Sequence, residues 1–260
     1  MLEKFEQLDR AYVSSFANIV DTDWGYLAYN EHQPDYYDAN HAYISTFNQS
    51  HHEVIEEVSR FYQEKQLTPR FYLTLNKGYE EFLAALKEDG FQYEEFMSPL
   101  QLWETKVAVE VHPAVTIEEV TTEAAKQNAI AIECQIDELG GEIREQAFEA
   151  EYAHPAYTHY LLSYNGIPCS TACIFQHHHD ARLESVATLK EFRGKGLIGQ
   201  LITHMQHVVT ERGIERFWVA PINEQVEKVY KKSGFNTVAI FKTGHAFLGG
   251  KSIKDIQNGQ

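Results

Sequence analysis

The 260-residue chain is 43% hydrophobic, which is enough apolar material for one large core or two modest ones, so one or two globular domains are expected. A formal net charge of −16 disfavours nucleic acids and anionic membranes as partners. Because the sequence shows no cationic leader and no run of about 18 apolar residues, a cytoplasmic location is expected. The three cysteines, Cys134, Cys169 and Cys173, match no metal-ligand spacing, so reduced thiols and no bound metal are predicted.

The first hundred residues predict alternating helices and strands. Apolar residues at helical spacing indicate a helix over 1–20, and a tyrosine-rich polar loop through Pro34, Tyr36, Tyr37 and His41 follows it. The remaining elements are a strand over 42–45, a helix over 51–65, a strand over 70–75, a helix over 79–88 that ends at Gly90, and strands over 91–104.

The second half begins after a segment, 107–115, that is interpreted as the crossing between two lobes. This interpretation gives an N-terminal domain over 1–110 and a C-terminal domain over 111–260. Asn165-Gly166, between two β-rich runs, predicts a tight hairpin. The predicted elements are a strand over 115–120, helices over 122–136 and 142–152, strands over 160–164, 167–176 and 183–189, a helix over 198–209, a strand over 216–220, a helix over 223–232, and strands over 235–241 and 245–248.

A glycine-rich loop joins the predicted strand over 183–189 to an amphipathic helix. Gly194, Gly196 and Gly199 allow backbone N–H groups to turn toward one point, and the helix start adds unpaired N–H groups and its positive dipole end. Arg193 and Lys195 add positive charge to an otherwise acidic chain. The loop therefore predicts an anion site, most plausibly for a pyrophosphate.

Two common phosphate motifs fit this loop poorly. The glycines satisfy the dinucleotide pattern G-x-G-x-x-G, but the loop follows antiparallel strands, and the next strand ends without the acidic residue that this motif needs. A P-loop would require Lys-Ser or Lys-Thr where Leu197 follows Gly196. A nucleotide- or NAD-linked protein remains an alternative interpretation.

Two separated segments of the second half carry a further pattern: the run from Val186 to Gly196, and Asn223-x-x-Val226-x-x-Val229-Tyr230-x-x-x-Gly234-Phe235. The first resembles the strand and pyrophosphate loop of the GNAT superfamily of acyl-CoA N-acyltransferases, and the second resembles that family's Asn…Leu-Tyr-x-x-x-Gly-Phe segment. The chain departs from the family pattern Arg/Gln-x-x-Gly-x-Gly/Ala at the last position, where Ile198 stands. The resemblance implies an α+β fold with a mixed, mostly antiparallel sheet flanked by helices.

The resemblance also implies a site for acetyl-CoA as co-substrate. Strand backbone at 186–188 would face the pantetheine arm and the thioester oxygen, and Tyr230 would be the acid that protonates the leaving thiolate. Tyr230 and Asn223 lie seven residues apart, so a helix brings both to nearly the same face. The implied cofactor-binding residues are Val186, Ala187, Thr188, Arg193, Gly194, Lys195, Gly196, Leu197, Gly199 and Asn223.

The general base is less defined by the sequence. Glu184 shares strand parity with Val186 and Thr188, so it is expected to point at the same cleft. Glu151, His154 and His159 are alternatives, and a chain of water molecules is another.

The first hundred residues contain an echo of the second half. Arg70-Phe71-Tyr72-Leu73 mirrors Arg216-Phe217-Trp218-Val219, and the run from Leu86 to Phe91 mirrors the run from Tyr230 to Phe235. Leu86 replaces the tyrosine, and Asn48-Gln49-Ser50-His51-His52 replaces the glycine loop. The chain is therefore interpreted as two related lobes, of which the first is a degenerate GNAT-like lobe.

The resemblance implies an N-acetyltransferase that moves an acetyl group from acetyl-CoA to an amine of a small molecule or peptide. No nucleic acid or membrane partner is expected, and the oligomeric state stays open. The alternative is a non-catalytic acyl-CoA-binding or regulatory module, which Ile198 and the undefined base both favour.

Overall fold

The computed structural model describes residues 1–47, 49–74, 79–107, 109 and 112–257. The α-helices in this part of the chain are α1 (Leu2–Ser14), α2 (His51–Glu64), α3 (Tyr79–Glu88), α4 (Glu123–Glu133), α5 (Arg144–Ala153), α6 (Leu197–Glu211), α7 (Glu224–Lys232) and α8 (Ile253–Gln257). The strands are β1 (Asn18–Thr22), β2 (Gly25–Tyr29), β3 (His41–Ile44), β4 (Arg70–Thr74), β5 (Gln92–Trp103), β6 (Val115–Glu119), β7 (Tyr157–Tyr164), β8 (Ile167–His177), β9 (Asp180–Thr188), β10 (Arg216–Val219) and β11 (Phe235–Phe247).

The chain forms two compact units. Unit 1 contains Met1–Tyr12 and Pro99–Ala239, and unit 2 contains Val13–Ser98 and Ile240–Ile256. The predicted domain boundary between 110 and 111 falls on residues outside the described part, so it stays a prediction.

Unit 1 is built on a sheet with the strand order β5-β10-β9-β8-β7-β6. Strands β6 to β9 form an antiparallel meander, while β10 runs parallel to β9. Side chains from α4 and α5, such as Ile130 and Phe148, pack with Leu161 and Ala187 on one face of this sheet. Residues of α6 and α7 form a second core on the opposite face.

Unit 2 repeats this order of elements. Its sheet has the order β1-β2-β3-β4-β11, with β1 to β3 antiparallel and β4 parallel to β3. Helix α2 follows the meander and α3 follows β4, and both contribute to one apolar core with the strands. The predicted fold, a mostly antiparallel mixed sheet flanked by helices in two related lobes, is confirmed.

The last strand of each unit comes from the other half of the sequence. β5 follows α3 in the chain, yet Gln101 and Leu102 pair with β10 of unit 1. β11 follows α7, yet its residues 243–247 pair with β4 of unit 2. The repeat therefore holds for the order of elements, but each sheet is completed by the strand of the other repeat.

Two sequence expectations were wrong. The first helix ends at Ser14 instead of continuing to residue 20, because Asn18–Thr22 pairs with β2 in a hairpin that turns at Gly25. A side chain at Gly25 would place its Cβ 1.9 Å from the Tyr43 carbonyl oxygen, so only glycine fits there. The two predicted final strands are one strand, β11, which passes through Gly244 because the Tyr93 ring packs against that glycine.

Two further findings concern the cysteines and the apolar character of the helices. Cys134, Cys169 and Cys173 are free thiols. Of the helices in the described ranges, none combines the length and the apolar character that crossing a bilayer would require.

Candidate active site

The glycine loop of unit 1 has the conformation that an anion site needs. Gly194 and Gly196 adopt φ values of 78° and 74°, in the left-handed region that favours glycine. Gly196 is the N-cap of α6, no side chain caps this helix end, and its first turn carries no acidic residue. A Cβ on either glycine would meet nothing within 4 Å, so the space in front of the helix start is open. The first N–H groups of α6 and its positive dipole end therefore face this open space.

The residues around these glycines anchor the loop. Arg193 donates from Nε to the Thr188 carbonyl oxygen at 3.0 Å, and the Lys195 ammonium lies over the Phe192 ring at 4.9 Å. Leu197 is buried, and Ile198 is half-buried and packs against the same core. Ile198 thus occupies the family's small-residue position with its side chain turned toward the protein, while Gly199 leaves the outer side of the first turn open.

Strand β9 presents a free backbone edge next to this loop. It pairs with β10 only from Asp180 to Arg182, although the strand continues to Thr188. Along its other edge β9 pairs with β8 as far as Thr188. Among the described residues, the β10-facing N–H and C=O groups of the segment 184–188 thus have no strand partner. The antiparallel meander ahead of the loop is also not a dinucleotide-binding sheet, so the NAD-linked alternative is set aside.

A bulge in β9 overturns the parity argument for Glu184. Cys173 pairs with Glu184 and Thr171 with Ala187, so one extra residue lies between these pairs on β9, and Ser185 adopts a φ of 51°. Glu184 and Ala187 therefore face α4 and α5. The expectation that Glu184 shares a face with Val186 and Thr188 was wrong, because the bulge reverses the alternation.

Glu184 is held by an ion-pair chain that the sequence did not suggest. Arg182 Nε donates to the Glu184 carboxylate, Arg182 NH1 donates to Asp9 Oδ1 at 2.6 Å, and the Tyr12 ring lies 4.0 Å from the guanidinium carbon. The Glu184 side chain is 19% exposed. Burial raises the pKa of Glu184, Arg182 opposes the shift, and the charges of Glu151 and Asp9 add to it. No local signal predicts this chain, since Asp9 lies 173 positions from Arg182.

Tyr230 and Asn223 lie on α7, as predicted. Tyr230 is 5% exposed and packs in the α6 and α7 core beside Phe235. Burial, and secondarily the charge of Glu184, raises the pKa of Tyr230, so the phenol keeps its proton at neutral pH. Asn223 is the N-cap of α7, and its Oδ1 accepts from the N–H groups of Gln225 and Val226, which leaves its amide NH₂ for a ligand.

The backbone at 186–188 lies along the free edge. Ala187 is buried, and its carbonyl oxygen accepts from Ser170 Oγ at 2.7 Å. Thr188 Oγ1 shares a hydrogen bond of 2.8 Å with the same serine hydroxyl. Val186 is half-buried against the α6 and α7 core. These side-chain contacts fix the end of β9 ahead of the glycine loop.

The alternative bases, Glu151, His159 and His154, lie in surroundings that differ from those of Glu184. Glu151 forms a bidentate pair with Arg144, at 2.7 Å and 2.5 Å, and Arg144 also donates to Glu133 at 2.6 Å. Burial raises the pKa of Glu133 to about 7 and lowers the pKa of His159 to about 3. An imidazole with so low a pKa is a poor acceptor for the proton of an ammonium ion.

His154 is engaged locally. Its Nδ1 accepts from the Ala156 N–H at 3.2 Å, just after α5 ends. Of the bases considered from sequence, Glu184 is the one that lies on the strand with the free edge.

Comparison with known proteins points to unit 1, the unit that contains the glycine loop. Residues 124–235, all within unit 1, match the sequence profile of the Acetyltransferase (GNAT) family. A Bacillus subtilis (strain 168) protein named a putative acetyltransferase is 25% identical over 127 residues, which cover 48% of this chain and 86% of that protein.

Solved structures share the fold over most of the chain. The GCN5-related N-acetyltransferase from Kribbella flavida aligns with a TM-score of 0.70 at 17% identity and covers 97% of both chains. A tandem GNAT protein from the clavulanic acid biosynthesis pathway aligns with a TM-score of 0.56 at 12% identity, covering 82% of this chain and 76% of that one. The profile match and the shared fold agree with the glycine loop, the free edge of β9 and the repeated element order, and residues 124–235 form a domain of the Acetyltransferase (GNAT) family.

Proposed function

We propose that this chain transfers the acetyl group of acetyl-CoA to an amine of a small molecule or peptide. The observation that carries the proposal is the free edge of β9, which is followed, after the short loop 189–196, by the uncapped, glycine-lined start of α6. A strand edge offers N–H and C=O groups to an extended amide-containing arm, and a helix start offers N–H groups to a diphosphate. Few ligands other than an acyl-CoA need a strand edge and, next to it, a helix start that binds a diphosphate.

The residues present fit this co-substrate. The N–H groups at 194–199 and the charges of Arg193 and Lys195 would hold the diphosphate, and the Asn223 amide would add a polar contact. Backbone groups of Val186, Ala187 and Thr188 would hold the pantetheine arm and polarise the thioester carbonyl. When bound, acetyl-CoA supplies an activated acyl group with a thiolate leaving group.

Two side chains would move protons on opposite faces of β9. Glu184, on the face toward α4 and α5, would take a proton from the acceptor ammonium, and its raised pKa makes it a stronger base than an ordinary carboxylate. Tyr230, in the core on the other face, would donate its phenolic proton to the departing thiolate. The acceptor amine is thus expected from the α4 and α5 side, where Glu184 lies.

A thiol-release assay with acetyl-CoA and a panel of amines tests the proposal. The panel should contain polyamines, amino sugars and short peptides with free N-termini, because the acidic chain favours cationic acceptors. Thiol release that depends on both the enzyme and the amine, with an acetylated product of matching mass, is the expected result. Saturable acetyl-CoA binding with no amine-dependent release from any member of the panel would contradict it.

A second candidate is a non-catalytic acyl-CoA-binding module. Two observations favour it: Ile198 at the family's small-residue position, and the engagement of Glu184 by Arg182. In that case Tyr230→Phe would leave the acetyl-CoA affinity unchanged and no rate would depend on it.

A further inference from the structure

Three potential metal ligands from three elements meet inside unit 1. The Glu151 carboxylate comes from α5, the His159 imidazole from β7 and the Cys173 thiol from β8, and all three side chains are buried. Their ligand atoms lie within 4.8 Å of one another. His159 and Cys173 are direct cross-strand partners, on the face of the sheet that α4 and α5 cover. The sheet register brings His159 and Cys173 together, and the packing of α5 on this face of the sheet adds Glu151.

His159 gives a second and independent indication of a ligand. It is 4% exposed, and within the described part of the chain neither Nδ1 nor Nε2 has a hydrogen-bond partner. Its ring lies between aromatic rings instead, with Phe148 at 4.4 Å and Tyr157 at 6.1 Å between centroids. A buried imidazole normally finds a partner for its nitrogens, and a neutral imidazole is the commonest metal ligand in proteins.

The charges around the three residues suit a divalent cation. When Glu133 and Glu151 are both ionised, they outweigh the single charge of Arg144 by one negative charge, and an ionised Cys173 thiol would add a second. Arg144 takes one lone pair on each Glu151 oxygen, and each oxygen keeps another for a metal. Arg144 would then orient the ligating carboxylate from outside the coordination sphere, as outer partners of metal ligands do.

We propose that Glu151, His159 and Cys173 bind a transition-metal dication of the zinc class. A set of one nitrogen, one sulfur and one oxygen suits Zn²⁺, whereas Mg²⁺ and Ca²⁺ take oxygen ligands. Ligand atoms of a tetrahedral zinc site lie roughly 3.5 Å apart, so small side-chain adjustments bring these three to bonding distance. On binding, the Cys173 thiol loses its proton to solvent and no other bond breaks. The site does not depend on the proposed acetyl transfer.

Metal analysis and cobalt titration of the full chain test this site. The purified protein is expected to hold about one zinc per chain, and the apo-protein made with a chelator is expected to bind Co²⁺ saturably with a thiolate-to-cobalt charge-transfer band. Cys173→Ser and His159→Gln should lose the zinc and the band. Cys169→Ser and Cys134→Ser, which alter the other two thiols, should keep both.

The cobalt titration of the unmodified chain decides the matter even where a variant fails to fold. Absence of stoichiometric metal together with no saturable charge-transfer band would overturn the site. Retention of the band in a folded Cys173→Ser variant would overturn it equally. Neither result bears on acetyl transfer, which the thiol-release assay measures separately.

Discussion

The two units share an order of elements but differ where their parallel strands meet. In unit 1, β9 separates from β10 after Arg182 and continues to Thr188 paired only with β8. In unit 2, β3 pairs with β4 from Ala42 to Ile44, which is the last residue of β3. The Tyr43 and Thr74 hydroxyl groups share a hydrogen bond of 3.0 Å between the same two strands. Within the described residues of unit 2, β3 and β4 therefore leave no free strand edge at the equivalent place. The proposed binding site thus depends on a local separation of two strands that unit 1 has, and not on the element order that both units share.

The helix that follows the antiparallel strands also differs between the two units. Helix α6 begins at Gly196 with no acid in its first turn, whereas α2 begins after Ser50 and carries Glu53 in its first turn. A carboxylate there opposes a bound anion. At the place of Tyr230, unit 2 has Leu86, which is fully buried in its core. Unit 2 keeps the architecture and replaces the groups that would bind and react.

A buried tyrosine from each unit gives the largest expected contrast. Tyr230→Phe removes the proposed acid and should lower kcat by about 100-fold or more, the usual range for general acid catalysis, with little change in acetyl-CoA affinity. Tyr62→Phe, in unit 2, removes a hydrogen bond of 2.7 Å to the Ala28 carbonyl oxygen. It should cost about 1 kcal/mol of stability and leave kcat unchanged. Equal effects of both variants on kcat would mean that Tyr230 acts only through packing.

Acid should weaken unit 2 through His245. Arg70 NH1 lies 3.2 Å from His245 Nε2, and His245 Nδ1 lies 2.7 Å from Glu94 Oε1, which fixes a neutral imidazole in the interior. Burial, with Arg70 and against the opposing effect of Glu94, lowers the pKa of His245 to about 4. The unfolded chain binds this proton near pH 6.5, so the stabilisation is present above that pH and is lost as the pH falls toward 4.

Between about pH 8 and about pH 5 this one group should remove on the order of 2 kcal/mol from the free energy of unfolding. Urea denaturation across this range measures it, with His245→Gln as the comparison. The variant is less stable at the higher pH but should show a shallower pH dependence. An identical slope in both proteins would show that His245 does not carry the effect.

Substitutions at two glycines of unit 1 with left-handed backbone conformation distinguish the effect of backbone strain from an effect on ligand binding. Gly196 and Gly213 have φ values of 74° and 68°, and an added Cβ would meet nothing within 4 Å at either. Gly196→Ala and Gly213→Ala should therefore cost a similar ~1–2 kcal/mol in stability. Gly196→Ala alone should weaken acetyl-CoA binding, by about tenfold, since the added methyl group would stand in the open space proposed for the diphosphate and displace about one charge-assisted contact. Calorimetric titration with acetyl-CoA checks this, and equal loss of affinity in both variants would argue against a diphosphate site at 194–199.

The smallest expected effect concerns the ion-pair chain at Glu184. The charge of Asp9 raises the pKa of Glu184, so Asp9→Asn should move the acidic limb of the kcat/KM profile to lower pH. Glu184→Gln should remove that limb. A profile that keeps its limb in Glu184→Gln would assign the base elsewhere, while an unshifted limb in Asp9→Asn alone would dismiss only the influence of Asp9.

Much of the fold and of the candidate site followed from sequence because the signals are local. Glycines before an amphipathic helix, Asn223 at a helix start, and the echo of Phe71 and Phe217 in buried strands all depend on neighbouring residues. The structure places each of these where the pattern predicted. The proposed binding and catalytic roles of the site residues remain predictions.

The rest depends on register, which local signals do not determine. The Asn165-Gly166 turn alone would place Thr158 opposite Cys173, but a bulge between Leu162 and Ser163 shifts the pairing so that His159 faces Cys173. The second bulge, at Ser185, turns Glu184 away from the face that alternation predicted. The sequence also does not show that β5 pairs in unit 1 and β11 in unit 2, because each strand follows its preceding helix at ordinary spacing.

A crystal structure of the chain with coenzyme A would decide whether unit 1 holds the proposed acyl-CoA site. One bound molecule is expected in unit 1, with its diphosphate on the backbone N–H groups of 194–199, its pantetheine arm along 186–188 and its sulfur beside the Tyr230 hydroxyl. A coenzyme bound in unit 2, or a sulfur outside hydrogen-bond reach of Tyr230, would contradict it.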